Sequence, residues 1–213
     1  MHETYRARSH VPELVWQAEA LAADLGFMLS CSPEVGRLLH TLAASVRDGR
    51  IGEIGTGCGY SAAWMASALG PGGTLFTVEH DGERATAAAR LFSAIPNVQV
   101  LQSDWSAILE HGPFDLLFVD GPVGAKATPG DAEGLADRDV LAPLLGIVRL
   151  GGLIVLDDLT PEISWPPEWR GRPDPTRSLW LNDPRLAATE LIVDPGAGLS
   201  SAVIVATHVG CHA

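Results

Sequence analysis

Short apolar runs alternate with helical stretches along most of this chain, and that alternation restricts what it can fold into. Ile51–Ile54, Thr74–Val78, Val98–Leu101, residues 114–120 (FDLLFVD) and residues 151–158 (GGLIVLDD) each read as a strand. A helix over Tyr60–Leu69 closes at Gly70-Pro71-Gly72-Gly73. Asp81 caps another, whose Ala85, Ala88, Ala89 and Phe92 share a face. Residues 134–150 carry a helical pattern that Pro143 kinks or splits. Strands joined by helices predict a parallel sheet with crossover connections. FDLLFVD is apolar enough to be buried on both faces.

Both ends add to this frame. Val11, Leu14, Val15, Ala18, Leu21, Ala22 and Leu25 lie at helical spacing. Ser32 caps a second helix, with Pro33 at its first position and a stripe of Val35, Leu38, Leu39, Leu42 and Val46. At the other end, LIVD (191–194) and AVIVAT (202–207) are separated by seven residues, PGAGLSS. That is too short for a crossover helix, so the pair predicts an antiparallel hairpin. The expected fold is α/β and Rossmann-like, a mostly parallel seven-stranded sheet with helices on both faces and a C-terminal antiparallel hairpin. One domain over 1–213 accommodates it: N-terminal helices (1–49), a core (50–158), a Trp/Pro-rich loop (159–184) and the hairpin region (185–213).

The loop LTPEISWPPEWRGRPDPTRSLWLNDP holds six prolines and Trp165, Trp169 and Trp180. Disordered segments are poor in tryptophan, so an ordered loop is expected. It packs either over a pocket or on the protein's own surface.

Charge limits the partners. The formal net charge is −12 and Lys126 is the sole lysine, so a nucleic acid would be repelled and a small molecule is the expected ligand. No apolar run reaches the roughly 18–20 residues a membrane span needs. MHETYRARSH is followed by no apolar leader core, and Cys31, Cys58 and Cys211 have no metal-ligand spacing. These features predict a reduced, cytoplasmic protein.

The strand ends carry the chemistry. In an open parallel sheet, ligands sit beyond the carboxyl ends of the strands. There stand Gly55–Gly59, Glu79, Asp104, Asp120, Asp157 and Asp158. The stretch EIGTGCGYSA places glycines at 55, 57 and 59 and none at 60, unlike the G-x-G-x-x-G of dinucleotide sites. Glu53 beside that loop disfavours a pyrophosphate and favours an ammonium group. Glu79, one strand later, suits a ribose diol. A phosphate-free nucleoside with a cationic amino-acid portion is S-adenosylmethionine.

EIGTGCGYSA followed by TVEHD resembles the cofactor motifs of class I S-adenosylmethionine-dependent methyltransferases. SPEVGRLLHTLA, GYSA, FDLLFVDG and GGLIVLDD are similar to the catechol and caffeoyl-CoA type O-methyltransferases, over roughly residues 30–158. The resemblance implies that Glu53, Gly55, Gly57, Gly59, Tyr60 and Ser61 shape the methionine site, with Ser61 bonding the carboxylate. It implies that Glu79 binds the ribose, His80 lies against the adenine, and Asp104 and Trp105 close the adenine side. Asp120 borders the cofactor.

In that family a divalent cation chelates two neighbouring acceptor oxygens and lowers the pKa of the attacking one. Asp120, Asp157 and Asp158 match its Asp, Asp-Asn pattern, with aspartate in place of the asparagine. Magnesium takes such oxygen ligands; an Asp pair that binds only water is the other reading. The family's catalytic lysine corresponds most nearly to Lys126, six residues after Asp120, which also reads as a solvated loop lysine. The expected activity is O-methylation of a small hydroxylated, aromatic acceptor, with the three tryptophans shaping its pocket and a homodimer as the family's assembly. The alternatives are an NAD(P)-dependent oxidoreductase and a cofactor-binding protein without catalysis.

Overall fold

The computed structural model describes residues 11–121, 129–130, 139, 141–194 and 201–210. Two helices, α1 (Glu13–Asp24) and α2 (Pro33–Ser45), lead into β1 (Arg50–Ile54). There follow α3 (Tyr60–Ala66), β2 (Thr74–Glu79), α4 (Gly82–Leu91), β3 (Val98–Gln102), a 3-10 turn (Trp105–Glu110) and β4 (Phe114–Val119). The chain ends with α5 (Ala142–Gly146), β5 (Val148–Leu159), α6 (Pro175–Asn182), β6 (Leu186–Asp194) and β7 (Ser201–His208).

The strands form one seven-stranded sheet in the order β3-β2-β1-β4-β5-β7-β6. β1 to β5 pair in parallel; β7 runs antiparallel to both β5 and β6. The direction of winding reverses between β1 and β4, which opens a crevice at their carboxyl ends.

Period-two alternation sends β4 into two cores. Leu116 and Phe118 pack with α1, α2, α3 and α4 on one face. Leu117 and Val119 pack with α5, α6 and the 3-10 turn on the other. The double burial expected of FDLLFVD is therefore realised, and each fully buried Leu or Phe contributes about 1.5–3 kcal/mol. Ser32 caps α2 by accepting from the Val35 N–H at 3.2 Å, and Asp81 caps α4 from the Arg84 N–H at 2.9 Å.

Three boundaries differ from the sequence reading. The pattern at 134–150 becomes only the short α5 among the described residues, with Pro143 in its first turn, where its missing N–H costs nothing. β5 starts at Val148, ahead of the glycine pair, and carries Gly151 at φ 79°. β6 begins five residues before LIVD, at Leu186, paired to His208.

The Trp/Pro-rich segment is less irregular than expected. Asp174 accepts from the Arg177 N–H at 2.9 Å and Pro175 opens α6, a cap-and-proline start that the sequence contains. Trp180 is fully buried in the core, and Trp165 donates its indole N–H to the Thr160 carbonyl at 2.9 Å. Arg177 ties the segment down. It donates to both carboxylate oxygens of Glu190 (2.6 and 2.8 Å) and to the Thr160 carbonyl (2.9 Å), and it pairs with Asp174.

Candidate active site

The glycine loop turns directly out of β1. The Gly55 and Thr56 N–H groups both donate to the Val78 carbonyl, at 3.0 and 3.2 Å, which clamps the loop to β2. Gly55 has φ 97°, and a Cβ there would lie 2.2 Å from the Asp120 carbonyl oxygen. Gly57 has φ 53°, with Phe27, just beyond α1, filling the space a Cβ would need. Gly59 starts α3 in the left-handed region and does not line the cleft. Beyond the loop lies a cleft of about 1000 Å³.

One end of this cleft is built around Glu79. Its carboxylate accepts from the Gly57 N–H (2.8 Å), the Asp81 N–H (2.9 Å) and the Arg84 guanidinium (2.9 Å). His80 Nδ1 stands 3.2 Å from the same side chain. Burial opposes ionisation of Glu79, but those N–H groups and Arg84 outweigh it and hold the carboxyl below its ordinary range. His80, Asp104 and the half-buried Trp105 line the same end. Asp104 caps the 3-10 turn by accepting from the Ser106 N–H at 3.0 Å, and that bond holds its carboxyl low.

The middle of the cleft holds Thr56, Tyr60 and Ser61. Glu53 lies behind them, fully buried, and does not line the cleft, so the direct ligand expected of it is corrected to a support. One Glu53 oxygen accepts from Ser61 Oγ at 2.5 Å, the other from Thr77 Oγ1 at 2.5 Å. The Thr77 hydroxyl also meets Thr56 Oγ1 at 2.5 Å. Burial, helped by the charge of Glu79, pushes the Glu53 carboxyl up to about 7 against the two hydroxyl bonds.

The other end is acidic. Asp120 and Asp158 line it, with Leu29, Ser30, Cys31 and Gly121. Asp158 is exposed and carries φ 65°, whereas Asp157 is buried and does not line the cleft. Both lie in β5, where the ladder with β7 shifts register between Leu156 and Leu159. Among the described residues no three His, Cys, Asp or Glu side chains are arranged to hold a metal ion. Cys31 is half-buried, and its thiol is pushed well up, first by desolvation and then by Asp157, Asp120, Glu53 and Asp158.

Lys126 lies outside the described residues. Trp165, Trp169 and Trp180 do not line the cleft, which corrects their expected role in an acceptor pocket. Sequence reading missed Phe27, Arg84 and Thr77. Arg84, three residues into the Asp81 cap, is the one with a signal, because that spacing turns it back toward Glu79.

Comparison with known proteins agrees with this geometry. The methyltransferase-domain family model matches residues 53–159. Catechol O-methyltransferase from Mycobacterium tuberculosis is 30% identical over 159 residues, 68% of this chain and 72% of that protein. The O-methyltransferase TomG from Streptomyces achromogenes, solved with S-adenosylmethionine, superposes with TM-score 0.72 at 25% identity, covering 99% of this chain and 100% of that one. An O-methyltransferase from Bacillus cereus, at 22% identity and TM-score 0.71, shares the fold over 96% of each chain. This chain belongs to the methyltransferase-domain family. Within it, the chain is a class I S-adenosylmethionine-dependent O-methyltransferase. Among the described residues no helix is long and apolar enough to cross a membrane.

Proposed function

We propose that the cleft holds S-adenosylmethionine lengthwise and delivers its methyl group to a hydroxyl of a small acceptor bound beside Asp120 and Asp158. The observation that carries this reading is Glu79, a carboxylate held ionised by the glycine loop, Asp81 and Arg84 at one end of the cleft. A carboxylate fixed in advance is suited to accept from both hydroxyls of a ribose. His80, Asp104 and Trp105 then flank the adenine. Gly55, Gly57, Tyr60 and Ser61 surround the methionine portion, which directs the sulfonium methyl toward the acidic end.

The transfer itself needs little from the protein beyond position and a proton acceptor. The acceptor oxygen attacks the methyl carbon in line, the carbon–sulfur bond breaks, and its electron pair returns to sulfur to give S-adenosylhomocysteine. The hydroxyl proton passes to Asp120, the cleft-lining carboxylate at the end of β4. Leu29 gives the acidic end an apolar wall, which suits an aromatic acceptor.

Calorimetric titration with S-adenosylhomocysteine tests the cofactor, and transfer of labelled methyl to a panel of catechols and phenols tests the reaction. Saturable binding with methylated product is expected. Binding with no transfer to any phenol leaves a cofactor-binding protein, and absence of binding overturns the reading.

A further inference from the structure

We infer that Thr77 is a positioning residue for the cofactor, relaying the hydrogen-bond direction set at Glu53 to Thr56 on the cleft wall. The inference rests on the reading of the cleft as an S-adenosylmethionine site. Thr77 is buried on β2, directly across the parallel ladder from Glu53, and never reaches the cleft.

A threonine hydroxyl has one hydrogen. Thr77 spends it on Glu53 at 2.5 Å. The 2.5 Å contact between Thr56 and Thr77 must then be donated by Thr56. Ser61 likewise spends its hydrogen on the other Glu53 oxygen. With Glu53 ionised, both cleft-lining hydroxyls turn their hydrogens inward and offer only lone pairs to the ligand. Lone pairs accept from an ammonium group, such as the amino group of the methionine portion, so Ser61 meets that amino group here and not the carboxylate first expected of it.

A proton on Glu53 reverses part of this pattern. The acid must donate to Thr77 or to Ser61, and the hydroxyl at the end of that branch then turns a hydrogen toward the cleft. The site loses an acceptor and half of its match to the ammonium. Among the described residues, the groups that act on Glu53 come from the elements packed against it. Glu79 on β2 and Cys31 ahead of α2 face it, α3 presents Ser61 with Tyr60 beside it, and β4 places Phe118 across the ladder. Burial already places its carboxyl at about 7, so the reversal falls within an accessible range.

The test is calorimetric titration of S-adenosylhomocysteine between pH 5.5 and 8.5 with wild type, Thr77→Val, Thr77→Ser and Thr56→Val. Wild-type binding is expected to tighten as pH rises through the Glu53 midpoint. Thr77→Val removes a donor to Glu53, so binding weakens by about tenfold at neutral pH and the midpoint moves up. Thr77→Ser restores both, because it keeps the hydroxyl. Thr56→Val weakens binding without moving the midpoint, because Glu53 keeps Thr77. Thr77→Val binding equal to wild type at every pH overturns the relay, as does a uniform weakening that Thr77→Ser does not reverse. Should Thr77→Val fail to fold, an unmoved midpoint in Thr77→Ser together with a moved one in Thr56→Val overturns it equally. A folded wild type that binds nothing overturns the cofactor reading first, and the relay with it.

Discussion

Gly55 and Asp120 touch through their backbones: a Cβ on Gly55 would stand 2.2 Å from the Asp120 carbonyl oxygen. The contact joins the two strands that flank the crevice. It also brings the glycine loop, which faces the cofactor, against the residue assigned to take the proton. A backbone oxygen cannot swing away as a side chain can, and φ 97° already disfavours any side chain. Gly55→Ala is therefore expected to cost several kcal/mol, at least about 3, and to abolish S-adenosylhomocysteine binding in whatever folds. Chemical denaturation and titration read the two effects. A variant that keeps wild-type stability and affinity would show that the loop can move off β4.

Glu53 makes the stability of the fold depend on pH. Its carboxyl sits near 7 in the fold against an ordinary 4.5, because burial disfavours the charged form. A raised carboxyl binds its proton more tightly in the folded state. Its contribution is thus fully present below about 4.5 and is lost as pH rises toward 7 and above. The loss amounts to about 3 kcal/mol if the whole shift is realised. Glu53→Gln cannot ionise, so its melting temperature should stay flat where wild type declines between pH 5 and 8. Parallel melting curves for the two proteins would contradict this.

Much of the frame could be read from the residues because it is encoded locally. Alternation, caps and the glycine spacing each act within a few positions, and the resulting parallel sheet, hairpin and strand-end acids all appear. The features that could not be read depend on direction and distance across the sheet. Nothing in EIGTGCGYSA says that Glu53 points behind the loop while Thr56 points into the cleft. Nothing in LDD says that Asp157 is buried and Asp158 exposed. The tryptophans misled because an aromatic-rich loop looks the same whether it faces a ligand or the core. Only the packing of α6 against the sheet decides that.

Glu79 should govern affinity more than turnover. Glu79→Gln keeps the size but loses the charge, and it replaces an oxygen that now accepts from Asp81 and Arg84 or from Gly57. Removing a charged acceptor from such a set costs about 1.5–3 kcal/mol, or roughly ten- to a hundredfold in the dissociation constant of S-adenosylhomocysteine. At saturating cofactor kcat is expected to stay within a fewfold of wild type. A large fall in kcat with unchanged affinity would place Glu79 in the chemistry.

Arg177 provides the opposite pattern. Its bonds to Glu190, Thr160 and Asp174 pin the Trp-rich segment to β6, and none of these four residues lines the cleft. Arg177→Met leaves Asp174 and Glu190 as partly buried carboxylates without their cation, at a cost of about 3 kcal/mol. Thermal unfolding should register that loss, while cofactor affinity at a temperature where the variant is folded stays unchanged. A drop in affinity would mean that the segment reaches the site after all.

Asp120 separates binding from chemistry most sharply. It lines the acidic end, and it follows the most buried strand of the sheet, so its position is fixed by β1 on one side and β5 on the other. Asp120→Asn preserves the shape and the backbone contact with Gly55 but removes the ability to take a proton. A general base of this kind is worth about 10²–10⁴ in rate. The expected result is a fall of that order in kcat, with the dissociation constant of S-adenosylhomocysteine changed less than about threefold. Raising the pH should recover part of the lost rate, because a pre-ionised phenol has no proton to give up. If the variant loses rate equally at all pH values, Asp120 positions the acceptor rather than deprotonating it.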